Sequence, residues 1–332
     1  MMVDGRWDAA DGGTTTDATG DWQRRRSVLR NWITADGAPG RAGEGGFAAE
    51  PGRYHLYVAI NCPWAHRALL TRVIKRLEGL IDISVALPKR STEGWVFGDE
   101  APFRDGLFGA SALHEIYARG GDSYTGRVTV PVLWDKGSAR IVSNESADIV
   151  TMLNAAFAGI APKSADLRPV RLSDQIDAWN SRIYEAFNNG VYRAGFASSQ
   201  AAYETAARGV FEAMDALEAR LGQSPFIAGD VITEADVRLF PTLARFDVAY
   251  NTAFRCNLRR LQDYPRLWLF ARRFYHMTGV AETVDFDIYK RGYFSVSEKR
   301  NSLGIVHIGP LVDWSLPAGV TPFEAGAGAD IA

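Results

Sequence analysis

The sequence contains few cysteines and histidines, and it has no long apolar segment. Its 332 residues include two cysteines and five histidines. Two cysteines cannot form a disulfide framework, which argues against a disulfide-stabilised secreted domain. No cluster with metal-ligand spacing is visible, so we predict no metal centre. No apolar run approaches the ~20 residues of a membrane-spanning helix, and a membrane protein is not expected.

An excess of charge of one sign is also missing. The chain has 37 Lys and Arg against 39 Asp and Glu, for a formal net charge of −2. The basic residues are scattered, so neither nucleic acid nor an anionic membrane surface is an expected partner. The first 20 residues are polar and lack the apolar core of a secretory signal. We therefore expect a cytoplasmic protein.

The composition that remains is typical of a globular protein with two domains. Strand and helix patterns alternate in the N-terminal half: residues 54–60 predict a buried strand, and a helix follows from Pro63. The later predicted elements are a strand over 81–87, a long insertion over 89–125 that contains a short helix over 111–119, a strand over 128–135 interrupted by Pro131, a strand over 140–143 and a helix from 146. This order predicts a thioredoxin-like α/β domain over residues 54–160.

The segments outside that domain have different patterns. Residues 169–284 show helical periodicity throughout and predict an all-α domain. Within it, Thr233 and Asp236 have the spacing of a capping box, so we interpret Asp236 as structural. The flanking predictions are an irregular arm over 1–53, with one or two helical turns over 24–32, and a C-terminal extension over 285–332.

Cys62 stands between the first predicted strand and the first predicted helix. It occupies the N-cap position before Pro63, whose missing N–H is no loss in a first helical turn. An N-cap side chain faces unpaired backbone N–H groups and the positive end of the helix dipole, which favours a thiolate. We therefore interpret Cys62 as a nucleophile. The alternative is a small buried cysteine that only packs.

No second thiol accompanies Cys62. A dithiol oxidoreductase would carry another cysteine three residues later, but that position is Ala65, and Cys256 lies far along the chain. A mixed disulfide on Cys62 therefore needs a thiol from solution, and glutathione is the abundant one in most cells. His66 shares a helix face with Cys62, but without further ligands we interpret it as structural.

Five motifs follow one another along the chain. They are Asn-Cys-Pro-Trp-Ala-His-Arg at 61–67, Gly-Trp-Val-Phe at 94–97, Thr-Val-Pro-Val-Leu-Trp-Asp at 129–135, Ser-Asn-Glu-Ser at 143–146 and Val-Tyr-Arg-Ala-Gly-Phe-Ala at 191–197. In this order they resemble the glutathionyl-hydroquinone reductases, the xi class of cysteine-containing glutathione transferases. The resemblance covers residues 20–310 or so, and it implies the glutathione transferase fold, a thioredoxin-like domain followed by an all-α domain.

The resemblance also implies roles for particular residues. Cys62 would be the catalytic thiol, and Pro131 falls where this fold carries a cis-proline. Tyr192 and Tyr293 would line a pocket for an aromatic substrate, although ordinary packing would explain either side chain. The implied glutathione ligands are Trp95, Arg127, Val130, Glu145 and Ser146. A homodimer is implied as well.

Each implied ligand also has a simpler interpretation. Glu145 and Ser146 fit a plain helix cap, Trp95 fits a core position under the insertion, and Arg127 fits a solvated surface. The tail departs from the family pattern, because Phe294 replaces a tyrosine and the usual histidines are absent.

The predicted activity is the glutathione-dependent reduction of S-glutathionyl-hydroquinones to hydroquinones. Cys62 would form a mixed disulfide with glutathione, and a second glutathione would release it as oxidised glutathione. The expected partners are glutathione and S-glutathionylated aromatic molecules. Two alternatives stay open: a general thiol transferase of the omega type, and a non-catalytic module that retains the transferase fold.

Overall fold

Two compact units make up the chain in a computed structural model, which describes residues 1–9, 15–41, 43–121, 123–297 and 301–324. The α/β unit comprises Met1–Gly13 and Arg26–Lys163, and the helical unit comprises Thr14–Arg25 and Ser164–Ala332. None of the helices in these described ranges is long and apolar enough to span a membrane.

A mixed sheet forms the centre of the α/β unit. A short hairpin, β1 (Met2–Val3) and β2 (Arg6–Trp7), comes first in the chain. The sheet itself has the order β4-β3-β5-β6, with β3 parallel to β4 and antiparallel to β5. Its strands are β3 (Tyr54–Val58), β4 (Ile81–Val85), β5 (Val132–Asp135) and β6 (Arg140–Ser143).

The predicted strands and helices of this unit are confirmed in order and type. Every residue of β3 is buried, as expected for a central strand with a nearly continuous apolar sequence. The predicted strand over 128–135 enters the ladder only at Val132, because Pro131 has no N–H to donate. The helices are α1 (Pro63–Ile74), α2 (Leu113–Arg119) and α3 (Ser146–Ala155).

The core of the α/β unit lies between the sheet and its helices. Leu56 and Leu133, paired across β3 and β5, are fully buried in it. Ile149 and Leu153, one turn apart on α3, belong to the same cluster. This apolar packing gives the ends of β3, β5 and β6 fixed positions, and the residues discussed below follow those ends.

The helical unit confirms the prediction of an all-helical second half. The capping box is present: the N–H and hydroxyl of Thr233 donate to Asp236 Oδ2 at 2.8 and 2.9 Å. The α-helices are α4 (Ser173–Arg182), α5 (Gly190–Phe196), α6 (Gln200–Leu221), α7 (Glu234–Arg245), α8 (Asn251–Ala253), α9 (Pro265–Tyr275) and α10 (Phe286–Tyr293). Shorter turns are π-helical at Ile183–Asn188 and Phe246–Tyr250 and 3₁₀-helical at Val170–Leu172, Leu261–Asp263 and Ala281–Thr283.

The prediction of helical turns over residues 24–32 was wrong. Asn31 N–H donates to the Val142 carbonyl at 2.8 Å, and Asn144 N–H donates to the Leu29 carbonyl at 3.0 Å. The segment thus runs extended along β6 and satisfies backbone groups that a sheet edge leaves unpaired. This pairing joins residues more than a hundred positions apart, so local periodicity gave no sign of it.

Candidate active site

Cys62 occupies the N-cap of α1, as predicted, with an extended backbone at φ −86° and ψ 117°. Its carbonyl accepts the His66 N–H at 3.0 Å, which starts the helix, and Pro63 fills the first helical position. Its Sγ lies 3.8 Å from the carbonyl oxygen of Val130. Cys62 is a free, half-buried cysteine, and it packs against the core cluster of the α/β unit.

The backbone beside that sulfur is shaped by Pro131. The Val130–Pro131 peptide bond is cis, as the resemblance implied. Just before it, the Thr129 N–H donates to the Tyr117 hydroxyl at 3.2 Å, and that hydroxyl donates to the Thr129 carbonyl at 2.9 Å. Tyr117 was not identified from the sequence, because nothing in its local pattern distinguishes it from other core tyrosines.

Glu145 and Ser146 open α3. Glu145 is the N-cap, and its Oε1 accepts the Ala147 N–H at 3.1 Å. Its own N–H donates to the Ser143 hydroxyl at 3.1 Å. The helix-cap interpretation is therefore correct for one carboxylate oxygen of Glu145. A carboxylate has a second oxygen, and Ser146 brings a backbone amide of the first helical turn, so an anion-binding role for the pair remains compatible with the cap.

Trp95 and Arg127 both interact with Arg90, a residue that the sequence did not single out. Trp95 is 9% exposed, and the guanidinium carbon of Arg90 lies 5.2 Å from its ring centroid. Desolvation and the neighbouring Arg127 cation lower the pKa of Arg90, whereas Cys62 raises it. Arg90 is nevertheless exposed to solvent. Within the α/β unit Arg90 thus stacks on Trp95 and lies in the electrostatic range of Cys62 and Arg127.

The two predicted tyrosines meet in the helical unit. The Tyr192 and Tyr293 hydroxyl oxygens lie 2.7 Å apart, and the Tyr250 hydroxyl lies 2.9 Å from that of Tyr293. Tyr250, fully buried in a π-helical turn, was not singled out from the sequence. Because each hydroxyl both donates and accepts, the three form a hydrogen-bonded chain with Tyr293 at its centre.

A buried arginine accompanies this chain of hydroxyl groups. Arg245 is fully buried, its guanidinium carbon lies 3.8 Å from the Tyr289 ring centroid, and its Nη1 donates to the Pro241 carbonyl at 2.7 Å. Burial raises the pKa values of Tyr250 and Tyr293 well above the usual phenol value, and Arg245 acts in the opposite direction. The cation therefore favours negative charge on these hydroxyls.

Part of the N-terminal arm completes the aromatic surface around Tyr192. Trp22 stacks on Tyr192 at 5.9 Å and on Phe196 at 5.6 Å between ring centroids. Asp21 fixes this segment through a bidentate ion pair with Arg193, with contacts of 2.8 and 2.9 Å. A cluster of aromatic rings of this kind suits contact with an aromatic ligand. Among the described residues, no group of three or more His, Cys, Asp or Glu side chains could hold a metal ion.

Two family models match the chain. The model for the glutathione S-transferase N-terminal domain matches residues 61–156, and the model for the C-terminal domain matches residues 200–273. A thioredoxin-like unit followed by a helical unit, with this succession of domain matches, defines the class of the glutathione transferases.

Two relatives define the family within this class. The chain is 48% identical to the glutathionyl-hydroquinone reductase YqjG of Escherichia coli (strain K12), over 96% of this chain and 98% of that protein. It is 41% identical to the glutathionyl-hydroquinone reductase PcpF of Sphingobium chlorophenolicum, over 93% of this chain and 96% of that protein. The chain therefore belongs to the glutathionyl-hydroquinone reductase family.

Solved structures agree with this assignment. The glutathione-bound structure of YqjG superposes with a TM-score of 0.88 and 45% identity, covering 96% of this chain and 98% of that chain. The glutathione S-transferase Xi of Phanerochaete chrysosporium superposes with a TM-score of 0.83 and 41% identity, covering 90% of this chain and 95% of that chain. The predicted family and fold are confirmed.

Proposed function

We propose that this protein reduces S-glutathionyl-hydroquinones to hydroquinones at the expense of glutathione. The observation that carries the proposal is the geometry of Cys62: a half-buried thiol at a helix N-cap, 3.8 Å from the Val130 carbonyl, with Ala65 where a resolving cysteine would stand. The family relationship supports it, since two close relatives carry this activity in their names.

The reaction proceeds in two exchanges at sulfur. The Cys62 thiolate attacks the thioether sulfur of the conjugate, forming a Cys62–glutathione disulfide while the sulfur–carbon bond breaks. The bonding electron pair stays with the aromatic carbon, which takes a proton from a general acid. A second glutathione then attacks the mixed disulfide and leaves as oxidised glutathione, returning the thiolate. The sum is conjugate plus glutathione giving hydroquinone plus oxidised glutathione.

Glutathione is held by the residues around the thiol. Val130 offers backbone groups beside Cys62 to an extended peptide. Glu145 pairs with the free amine of the tripeptide, and Ser146 with the first-turn amides receives the γ-glutamyl carboxylate. Trp95 shields the ligand, and Arg127 pairs with the glycyl carboxylate.

The hydroxyl chain supplies the proton. Tyr192 and Tyr293 are the candidate general acids, and loss of a proton from either leaves a phenolate that accepts a hydrogen bond from the next hydroxyl. The protein acts as a cytoplasmic homodimer in this proposal. The reducing conditions of the cytoplasm keep the Cys62 thiol available.

Intact-mass measurement tests the function. Incubation with a glutathionyl-hydroquinone and no added glutathione should place one glutathione on the wild-type protein and on a Cys256→Ala variant, and none on Cys62→Ser. Added glutathione should then remove the adduct. A folded wild-type protein that forms no adduct with fresh substrate would contradict the proposal.

Relative rates separate this function from the alternatives. A glutathionyl-hydroquinone reductase turns over a glutathionyl-naphthohydroquinone much faster than hydroxyethyl disulfide, and a general thiol transferase shows the reverse order. A non-catalytic module would keep its function in the Cys62→Ser variant.

A further inference from the structure

Part of the N-terminal arm folds into a small closed turn. The carboxylate of Asp17 accepts the Asp21 N–H at 3.1 Å through one oxygen and Gln23 Nε2 at 2.9 Å through the other. The Gln23 N–H donates to the Thr15 carbonyl at 3.0 Å, which brings the two ends of the segment together. Residues 15–23, here called the arm turn, therefore hold their shape through their own contacts.

The arm turn is attached to the N-terminal end of α6. The Ser198 N–H donates to the Gly20 carbonyl at 2.9 Å, and the Ser199 hydroxyl donates to the Thr19 carbonyl at 2.7 Å. Gly20 has a φ of +87°, and a Cβ atom at this position would lie 2.8 Å from the Ser199 hydroxyl oxygen. Both the backbone conformation and the close approach require glycine here. These contacts fix the turn on the helical unit, next to α5 and α6.

The arm turn places Trp22 against Tyr192 on α5. Trp22 is only 5% exposed, and its ring centroid lies 5.9 Å from that of Tyr192 and 5.6 Å from that of Phe196, with interplanar angles of 30°. The adjacent residues Asp21 and Arg193 form a bidentate ion pair, with contacts of 2.8 and 2.9 Å. Two successive residues of the arm therefore hold two successive residues of α5.

A shift of the Tyr192 ring would take its hydroxyl out of the hydroxyl chain, where it lies 2.7 Å from that of Tyr293. Phe254 meets the ring edge-on at 5.2 Å between centroids, and Phe196 stacks on it from the same helix at 6.1 Å. Trp22 adds a stacking partner from a distant part of the chain, with the largest side chain of the three. Loss of this indole would leave space into which the Tyr192 ring can move.

We propose that Trp22 is a positioning residue for Tyr192, and that the arm turn keeps the Tyr192 hydroxyl within hydrogen-bond distance of Tyr293 for proton transfer to the aromatic carbon. This inference rests on the proposed function, since it takes Tyr192 as part of the proton supply of the hydroquinone reaction. It gives the N-terminal arm a role in turnover that none of the five sequence motifs includes. The Nε1–H of Trp22 has no acceptor among the described residues, so the role belongs to packing of the ring.

A double-mutant cycle tests this role. Trp22→Leu in the wild-type background should lower kcat with a glutathionyl-naphthohydroquinone roughly tenfold or more, because a misplacement of about 1 Å can cost about 10²-fold. In a Tyr192→Phe background, which has no hydroxyl left to misplace, the same substitution should change kcat less than about twofold. Trp22→Phe should restore most of the wild-type kcat, because it keeps an aromatic ring at this position.

Two further measurements show whether the effect is specific. Activity with hydroxyethyl disulfide should stay near the wild-type value in Trp22→Leu, because that exchange needs no proton on carbon. Trp268→Leu is the matched control, since it removes an indole of the same unit whose ring contacts Trp314 at 4.8 Å, and it should keep wild-type kcat with both substrates. Equal losses from Trp22→Leu in the two backgrounds, or no loss in the wild-type background, would overturn the assignment.

A crystal structure of Trp22→Leu separates this inference from the proposed function. The hydroxyl oxygens of Tyr192 and Tyr293 should lie more than about 3.5 Å apart in the variant, beyond hydrogen-bond distance. If the wild type forms the Cys62 adduct but Trp22→Leu keeps the 2.7 Å separation and full kcat, only the role of Trp22 is wrong. If the hydroxyls separate in the variant but no adduct forms on Cys62 in the wild type, the positioning contact stands and the proposed reaction is wrong.

Discussion

The hydroxyl group of Tyr117 donates a hydrogen bond to the carbonyl oxygen of Thr129, 2.9 Å away. The same hydroxyl accepts the Thr129 N–H at 3.2 Å and the Asn144 side-chain amide at 3.1 Å. One fully buried oxygen therefore ties the segment that leads to Val130 to the segment that leads to Glu145. Its single donor and two acceptor positions are all used.

Replacing Tyr117 with phenylalanine should damage both stability and glutathione binding. The substitution leaves the Thr129 backbone groups and the Asn144 amide without this buried partner, and each such loss costs about 1–3 kcal/mol. The free energy of unfolding in urea should therefore fall by at least the cost of one such loss, about 1–3 kcal/mol. KM for glutathione should rise several-fold, because the segments before Val130 and Glu145 lose their common anchor.

The Tyr203→Phe variant is the control. It removes a hydroxyl that donates to the Arg255 carbonyl at 2.7 Å, within the helical unit. Its KM for glutathione should match that of the wild type. A Tyr117→Phe protein with unchanged KM would show that the two segments keep their positions without the shared hydroxyl.

The two cysteines should react very differently with alkylating reagents. Cys256 is fully buried, and desolvation raises the pKa of its thiol to about 12, so only about one molecule in 10⁴ carries the thiolate near pH 8. Cys62 is half-buried. Iodoacetamide should therefore add one group to the native wild type and to Cys256→Ala, and none to Cys62→Ser.

The same variants should differ in turnover. Cys256→Ala should retain wild-type kcat, whereas Cys62→Ser should lose at least about 10³-fold, as for removal of a nucleophile. Labelling of Cys256 in the native protein at a rate similar to Cys62 would contradict the described burial.

Several features of the α/β unit could be predicted because their causes are local. The Cys62 N-cap follows from Pro63 and from the apolar periodicity after it, and a helix cap at Glu145 follows from the sequence around Ser146. The strand break at Pro131 has an equally local cause in the missing N–H. Each of these signals lies within a few residues of the feature that it predicts.

Other features depend on contacts between distant residues. The segment at 29–31 is extended because it pairs with β6 near Val142. No periodic pattern in the local sequence indicates this pairing. Tyr117 matters because Thr129 and Asn144 reach the same hydroxyl. Contacts of this kind cannot be inferred from residue type and spacing along the chain. The roles of the individual site residues stay predictions.

The α/β unit should lose stability in mild acid because of His55. This buried ring lies 2.8 Å from the Ser84 hydroxyl, which donates to Asp105 at 3.1 Å. Burial lowers the pKa of His55 from 6.5 to about 4. Above pH 6.5 the ring is neutral in both the folded and the unfolded chain, so it carries no penalty. Between that pH and about 4, His55 binds a proton in the unfolded chain but not in the folded chain. This difference lowers the free energy of unfolding by up to ~3 kcal/mol.

Urea unfolding at about pH 7 and about pH 5 measures this effect. The wild type should lose stability on acidification, and a His55→Gln variant should lose less. Asp236 in the helical unit acts with the opposite sign: burial raises the pKa of its carboxyl to about 6, so the folded state gains stability as pH falls towards 3.8. Identical acid sensitivity in wild type and His55→Gln would remove His55 as the cause.

Removing the hydroxyl of Tyr293 should separate the two exchanges of the proposed reaction. Tyr293 is the centre of the hydroxyl chain, with oxygens of Tyr192 at 2.7 Å and Tyr250 at 2.9 Å, so Tyr293→Phe breaks both hydrogen bonds. Cleavage of the sulfur–carbon bond needs a proton on carbon, and general acid catalysis contributes about 10²–10⁴-fold. We expect kcat with a glutathionyl-hydroquinone to fall by about 10²-fold or more.

Attack of glutathione on the mixed disulfide needs no proton on carbon, so it should be spared. Tyr293→Phe should therefore keep near wild-type activity with hydroxyethyl disulfide. Because misfolding would lower this activity as well, the same assay shows that the variant is correctly folded. Tyr250→Phe breaks one of the two bonds and should show a smaller loss in hydroquinone turnover, while the Tyr203→Phe control should show none. If Tyr293→Phe lowers both activities equally, the hydroxyl chain is structural and the proton comes from another group.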